Sequence, residues 1–293
     1  MCHVFVFKKY FSKNARLLPN FGNFIAKLLR LNLSDYIKER LSFEEYSFSL
    51  SEFATNTDKS ETALKREVSY LVSKGDIIPV RKSFYLIIPP RYLRQGKLPI
   101  ELYISKLFKY IKREYYLGLY SAAKFHGAGH QQIQRDYIII STPTLLDIKK
   151  GALDLRFLTT SNWPKKNVIN KKSDAGHFKI SDPVLTAVDL IHYQTKLGGL
   201  NRMLAILEEL TEEITLSDLK DLLTWYPHKS TLQRLGFLLE EFQADSQLTK
   251  LLFEYLKRDR YFPVLLSPKS KEKPGAVNNI WKVDVNIKLE NDL

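Results

Sequence analysis

An α+β fold is predicted by three features of the 293-residue sequence. A polar segment at residues 47–75 carries two helix-capping signals and runs into a short basic hairpin, the pattern of an N-terminal winged helix-turn-helix. Short β-branched runs recur between residues 115 and 180. After Ser181 the texture turns helical, so a mixed α/β and helical C-terminal domain is expected.

Each element follows from local chemistry. Ser34 is placed to cap a first helix near Asp35–Glu45. Ser49 and Glu52 stand three apart, the spacing of a capping box, and Phe53 and Ala54 would face inward from the helix they open. Thr55 to Lys59 supply turn residues, and Asp58 with Glu61 repeats the capping spacing. Leu64, Val68, Leu71 and Val72 then fall on one face at helical period, and Gly75 ends that helix. Ile77-Ile78 with Val80, and Phe84 to Ile88, are two strands joined by Arg81, Lys82 and Ser83. Pro89-Pro90 closes the segment, and Gly96 to Pro99 reads as a linker.

Beyond it, one helix is expected at 100–114, with Leu102, Leu107, Tyr110 and Ile111 buried. Tyr115 to Gly127 reads as a buried helix ended by His126 and Gly127. Asp136–Thr142, Leu153–Leu158 and Phe178–Ile180 read as strands, and 161–177 as a basic loop. Asp182-Pro183 is a cap followed by proline at the first helical position. Gly198-Gly199 separates two helices, and segments 215–225, 229–243 and 246–258 are amphipathic. Val277 to Leu289 alternates as a last strand. The expected domains are a basic extension at 1–33, the winged helix-turn-helix at 34–90, a linker at 91–99 and a C-terminal domain at 100–293.

The second helix of the pair would present Ser60, Thr62, Lys65, Arg66 and Ser69 outward, with Arg81 and Lys82 on the hairpin beside it. A polar helix face with a basic hairpin suits a major groove and its flanking phosphates. Charge agrees. Residues 1–100 carry 17 Lys and Arg against 9 Asp and Glu, residues 101–180 carry 14 against 6, and residues 181–293 carry 14 against 17, so the positive excess behind the net +13 lies wholly in the first 180 residues. Such a basic half points to a polyanionic partner, here double-stranded DNA. Lys165, Lys166, Lys171 and Lys172 form a possible second basic surface, for nucleic acid or protein; a solvated charge run is the plainer reading.

Composition excludes several classes. The single cysteine, Cys2, rules out an internal disulfide and a Cys-rich zinc site, and suits a reducing cytoplasm. No run of 18 apolar residues exists, so no membrane partner is expected. Residues 1–34 hold six basic residues and no acid, with Phe21, Phe24, Ile25, Leu28 and Leu29 as an amphipathic stripe, but lack the apolar core of a signal peptide. Catalysis is not expected. His126, at a helix end, would suit the dipole as a cation. His130 follows Gly127-Ala-Gly129, a turn without the Lys-Ser/Thr of a phosphate loop. His177, His192 and His228 are scattered without metal-ligand spacing. Asp154 and Asp284 lack the second acid that a nuclease site needs. Arg234 reads as a structural charge, with Asp189 or Glu240 as partners. No metal or cofactor is expected.

Five segments in order carry a resemblance: Tyr115-Tyr-Leu-Gly-Leu-Tyr-Ser-Ala-Ala-Lys-Phe-His-Gly127, Ile180-Ser-Asp-Pro-Val-Leu-Thr-Ala-Val-Asp-Leu-Ile191, Leu197-Gly-Gly-Leu200, Leu232-Gln-Arg-Leu-Gly-Phe-Leu-Leu-Glu240 and Asn279-Ile-Trp-Lys-Val-Asp-Val-Asn286. With the preceding winged helix, this order resembles the AbiEi family, antitoxins of the AbiE abortive-infection (type IV) toxin–antitoxin system, from about residue 34 onward. The first 33 residues have no counterpart in it. The resemblance implies a cytoplasmic, non-catalytic protein acting in phage defence. It would repress its own operon at inverted repeats through Ser60, Thr62, Lys65, Arg66, Arg81 and Lys82. Its C-terminal domain would counteract a nucleotidyltransferase-like toxin. The alternatives are a winged-helix regulator whose C-terminal domain senses a ligand, and a nucleic-acid-processing enzyme.

Overall fold

The computed structural model describes residues 32–129, 134–270, 272–275 and 277–290. The basic extension and amphipathic stripe up to residue 31, and His130, lie outside the described residues. Among the described residues no helix is long and apolar enough to cross a membrane. The chain divides into two compact units, residues 1–110 and 111–293. The stretch read as a linker, 91–99, falls within the first.

The first unit runs α1 (Leu33–Ser42), β1 (Ser47–Ser49), α2 (Leu50–Ala54), α3 (Glu61–Lys74), β2 (Ile77–Arg81) and β3 (Phe84–Ile87), then α4 (Ile104–Ile111). Its three strands form an antiparallel sheet in the order β1-β3-β2. The capping box at Ser49 is complete: its hydroxyl accepts from Glu52 N at 3.2 Å, and its own N–H donates to Glu52 Oε2 at 2.7 Å. Two other caps sit elsewhere than expected. Asn32, not Ser34, caps α1, accepting from Asp35 N at 2.8 Å. Ser60, not Asp58, caps α3, accepting from Ala63 N at 3.3 Å. In each case the side chain directly ahead of the first helical residue reaches the free N–H groups; Ser34 already lies inside the first turn, and Asp58 stands too far back. Gly75 ends α3 at φ +78°, where a Cβ would be strained. Leu33, Phe48, Phe53, Leu64, Val68, Leu71, Ile77 and Ile87 make the core. Ala54 is exposed rather than buried, because the five-residue α2 buries one face only, at Phe53. The single helix expected at 100–114 is broken: a 3-10 turn at Ile100–Leu102 stops at Tyr103, φ −139°, before α4 begins. Tyr110 consequently turns outward, 38% exposed, and donates to the Lys82 carbonyl at 2.9 Å.

The second unit is built on β4 (Tyr115–Leu117), α5 (Leu119–Phe125), β5 (Asp136–Ser141), β6 (Ile148–Lys150), β7 (Leu153–Thr160), β8 (Val168–Ser173) and β9 (Gly176–Ser181). The six strands form a mixed sheet, ordered β6-β7-β5-β4-β9-β8. Tyr115–Leu117 is therefore a strand, not the start of a helix. It pairs antiparallel with Ile138–Ile140 and, through Leu117, parallel with Ile180. Gly118 makes the turn into α5; a Cβ there would lie 2.8 Å from Ile139 Cγ1. The basic loop expected at 161–177 contains β8, paired in full register with β9. Helices α6 (Pro183–His192), α7 (Gln194–Leu197), α8 (Leu204–Glu213), α9 (Leu216–Leu223), α10 (Lys229–Glu241) and α11 (Ser246–Leu256) follow. Asp182 caps α6 with Pro183 at its first turn, and Gly198 ends α7 at φ +102°. The strand expected over Val277–Leu289 shrinks to β11 (Val283–Asp284), parallel to β10 (Val264–Leu265). Its alternation is used instead to seat Trp281 and Val283, both fully buried, in the core of α6, α8, α10 and α11.

Candidate functional site

The outer face of α3 carries Thr62, Lys65, Arg66 and Ser69, all exposed. Ser60 is exposed too, but its hydroxyl is engaged in the cap. Lys65 pairs with Glu61 at 2.6 Å, and Ser69 donates to the Lys65 carbonyl at 2.8 Å. Glu67 is engaged away from this face: Oε2 accepts from Leu33 N at 3.0 Å, and Oε1 bonds Lys59. One residue on the same face escaped the sequence reading. Tyr70 is 57% exposed, with Lys74 Nζ 4.5 Å from its ring centroid. An apolar ring at a helix position usually signals core, so only the solved packing separates it from Leu71. On the hairpin, Lys82 is exposed at the turn. Arg81 lies within β2, half-buried, and burial pushes its pKa down.

The second basic surface is less uniform than its sequence. Lys165 and Lys172 are exposed, Lys166 pairs with Asp221 at 2.5 Å, and Lys171 is half-buried against Phe125, bonding its carbonyl.

The sequence segments that carry the resemblance meet in space. Gln233, on α10, is buried and donates to the carbonyls of Phe262 and Trp281 at 2.9 and 2.8 Å. Arg234 Nε donates to the Leu265 carbonyl at 2.8 Å; this, rather than Asp189 or Glu240, is the partner the structure shows. Gly236 lies flat under the Trp281 indole, where a Cβ would approach Cδ2 to 2.6 Å and Cε3 and Cζ3 more closely. Asn279 Oδ1 accepts from Val283 N at 3.0 Å, and Asn286 brackets Ser267, at 2.9 Å to both its N and its O. The Leu-Gln-Arg-Leu-Gly run is thus a clamp for the chain between residues 261 and 286.

A narrow cleft in the second unit gathers Tyr116, Thr160, Asn162, Asp189, His192, Tyr226 and His228. Asp189 is buried on α6 and accepts from the Tyr116 hydroxyl at 2.8 Å. Burial lifts its carboxyl to about 7, Asp182 adding to the rise and the Tyr116 bond opposing it. Asp182 is likewise lifted by burial to about 7 against its bonds from Leu185 N, 2.8 Å, and Asn167, 2.7 Å. His192 and His228, distant in sequence, stack at 4.4 Å. Burial and then the His228 ring push His192 down to about 4, and burial lowers His228. His126 is lowered too, chiefly by burial, its Nε2 lying 2.7 Å from the Ser181 carbonyl; the cation expected at this helix end is disfavoured. Among the described residues no group of three or more His, Cys, Asp or Glu is placed to hold a metal. At neutral pH the cleft is polar but carries uncharged imidazoles.

This predicts a signed pH dependence. A carboxyl whose folded pKa is raised stabilises the fold fully below its unfolded value near 4 and loses that contribution as pH rises toward 7. Asp189→Asn cannot titrate. Its stability relative to the parent is expected to rise by about 1–3 kcal/mol between pH 5 and pH 8 in denaturant unfolding. A constant difference would show that Asp189 ionises normally.

Residues 116–241 match the family described as the AbiEi antitoxin C-terminal domain. No curated protein matches the chain. The crystal structure of the RV2827C protein from Mycobacterium tuberculosis shares the fold, with a TM-score of 0.61 at 14% identity, over 87% of this chain and 92% of that one.

Proposed function

With residues 116–241 forming an AbiEi antitoxin C-terminal domain, we propose that this protein is the antitoxin of a type IV toxin–antitoxin system and the repressor of its own operon. The family match carries the antitoxin reading. The exposed face of α3 supports the DNA reading: Thr62, Lys65, Arg66 and Ser69 stand clear of the core on a unit whose first 100 residues carry a net charge of +8 (17 − 9). In this reading α3 enters the major groove of inverted repeats upstream of the gene. Lys82 takes a flanking phosphate, and Arg81 contributes from a half-buried stem. Ser60 acts by holding the helix N-terminus. The second unit counteracts a nucleotidyltransferase-like toxin, and no side chain is assigned a catalytic role.

Two measurements test the two halves. The neighbouring gene is expressed with and without this protein and growth is scored; rescue is expected, and continued arrest by a nucleotidyltransferase-like neighbour would remove the antitoxin role. Affinity for the upstream duplex is compared with that for random duplex at several salt concentrations. A preference of about 1000-fold or more is expected of a specific site, and equal affinity would remove the repressor role.

A further inference from the structure

Strand β8 borders the six-stranded sheet. Among the described residues no strand pairs with its outer side. Its ladder with β9 fixes which backbone groups point there. Asp182 N donates to Asn167 O at 2.9 Å, and the register continues 168↔181, 169↔180, 170↔179, 171↔178, 172↔177. Hydrogen-bonded and non-bonded pairs alternate in an antiparallel ladder. Ile169 and Lys171 therefore spend their N–H and C=O groups on β9, and Val168, Asn170 and Lys172 turn theirs outward.

The two faces of this edge differ. Ile169 stands across from the buried Ile180, yet is 43% exposed. Lys171, on the same face, is occupied by Phe125. On the other face Lys172 is exposed, and Lys179 across from Asn170 is already paired with Glu114 at 2.7 Å. Lysines guard an edge strand against chance pairing. An isoleucine left in water beside them leaves an apolar contact waiting to be covered.

We propose that the outer edge of β8 takes an extended protein segment of alternating apolar and acidic residues, which adds a seventh strand to the sheet. Its backbone would meet the outward groups of Val168, Asn170 and Lys172. An apolar side chain would cover Ile169, and an acid would face Lys172. A second copy of β8 fits poorly, because each strand would bring Lys171 and Lys172 to one seam. The proposal stands apart from the DNA reading, since it uses neither α3 nor the hairpin.

The test uses the full chain and a labelled peptide of about ten residues alternating glutamate and valine, followed by fluorescence anisotropy. Saturable binding is expected. Asn170→Pro removes one outward N–H and leaves the ladder to β9 intact, so it should weaken binding about tenfold or more, whereas Asn170→Ala should not. Lys172→Glu should weaken it similarly and transfer preference to a lysine–valine peptide. If Asn170→Pro does not fold, as judged by thermal unfolding, the glutamate–valine peptide N-methylated at alternate residues takes its place and should not bind. Absence of saturable binding overturns the proposal. So does binding that ignores both Asn170→Pro and N-methylation. A duplex DNA affinity lost in Lys172→Glu, with no peptide bound, would make this edge a phosphate contact instead.

Discussion

Gly236→Ala is expected to cost about 3 kcal/mol or more, the upper end of what overpacking does to a core. The added methyl group would overlap Cε3 and Cζ3 of Trp281, and neither neighbour can yield cheaply. Trp281 is fully buried, and Gln233 holds its carbonyl at 2.8 Å. Trp281→Ala alone should cost about 3–5 kcal/mol through the cavity it leaves. The informative measurement is the pair: in a Trp281→Ala background the Gly236→Ala change has room and should add little. Denaturant unfolding of the four proteins gives the coupling directly. Strict additivity would mean that the glycine is required for some reason other than the indole above it.

The second large effect concerns the proposed DNA face. Arg66→Glu combined with Lys82→Glu should reduce affinity for the upstream duplex on the order of 100-fold or more at moderate salt. The dependence of log affinity on log salt should also become shallower by about two contacts' worth. Reversing two exposed lysines of the second unit, Lys220 and Lys250, changes net charge equally and should do much less. If both pairs weaken binding alike, attraction is a property of overall charge and α3 does not read the site. Within the face, a change at Thr62 or Ser69 that acts at particular base pairs would mark base readout, and a uniform loss would mark phosphate contact.

Legibility followed the range of the interaction. The capping box at Ser49, the Asp182-Pro183 start and the Gly75 stop were readable because every partner lies within a few residues. Tyr115–Leu117 was misread because three large apolar side chains in a row have no period, and the strand is made by Ile138–Ile140 and Ile180. The β8 strand hid behind its lysines, since an edge strand with one wet face looks like a polar loop. At the candidate DNA face the exposed set was legible from helical period. The half-burial of Arg81 and the exposure of Tyr70 were not, because both depend on packing that one helix or one hairpin does not determine. The Arg234–Leu265 bond and the His192–His228 stack span 31 and 36 positions (265 − 234 and 228 − 192), and no local pattern announces either.

The position of β4 bears on the order in which a newly made chain can assemble. This three-residue strand sits between β5 and β9. Its partner in β9, Ile180, is synthesised 63 residues after Leu117 (180 − 117). At about 5–20 residues per second, that delay is on the order of 3–13 s. Until then β4 lacks its β9 neighbour; β9 ends at Ser181 and α6 begins at Pro183, so every strand of the sheet has been made before the first helix that follows it. The wait falls within translation: 113 residues (293 − 180) are still to be made when Ile180 is added, so the sheet can close before the chain is finished.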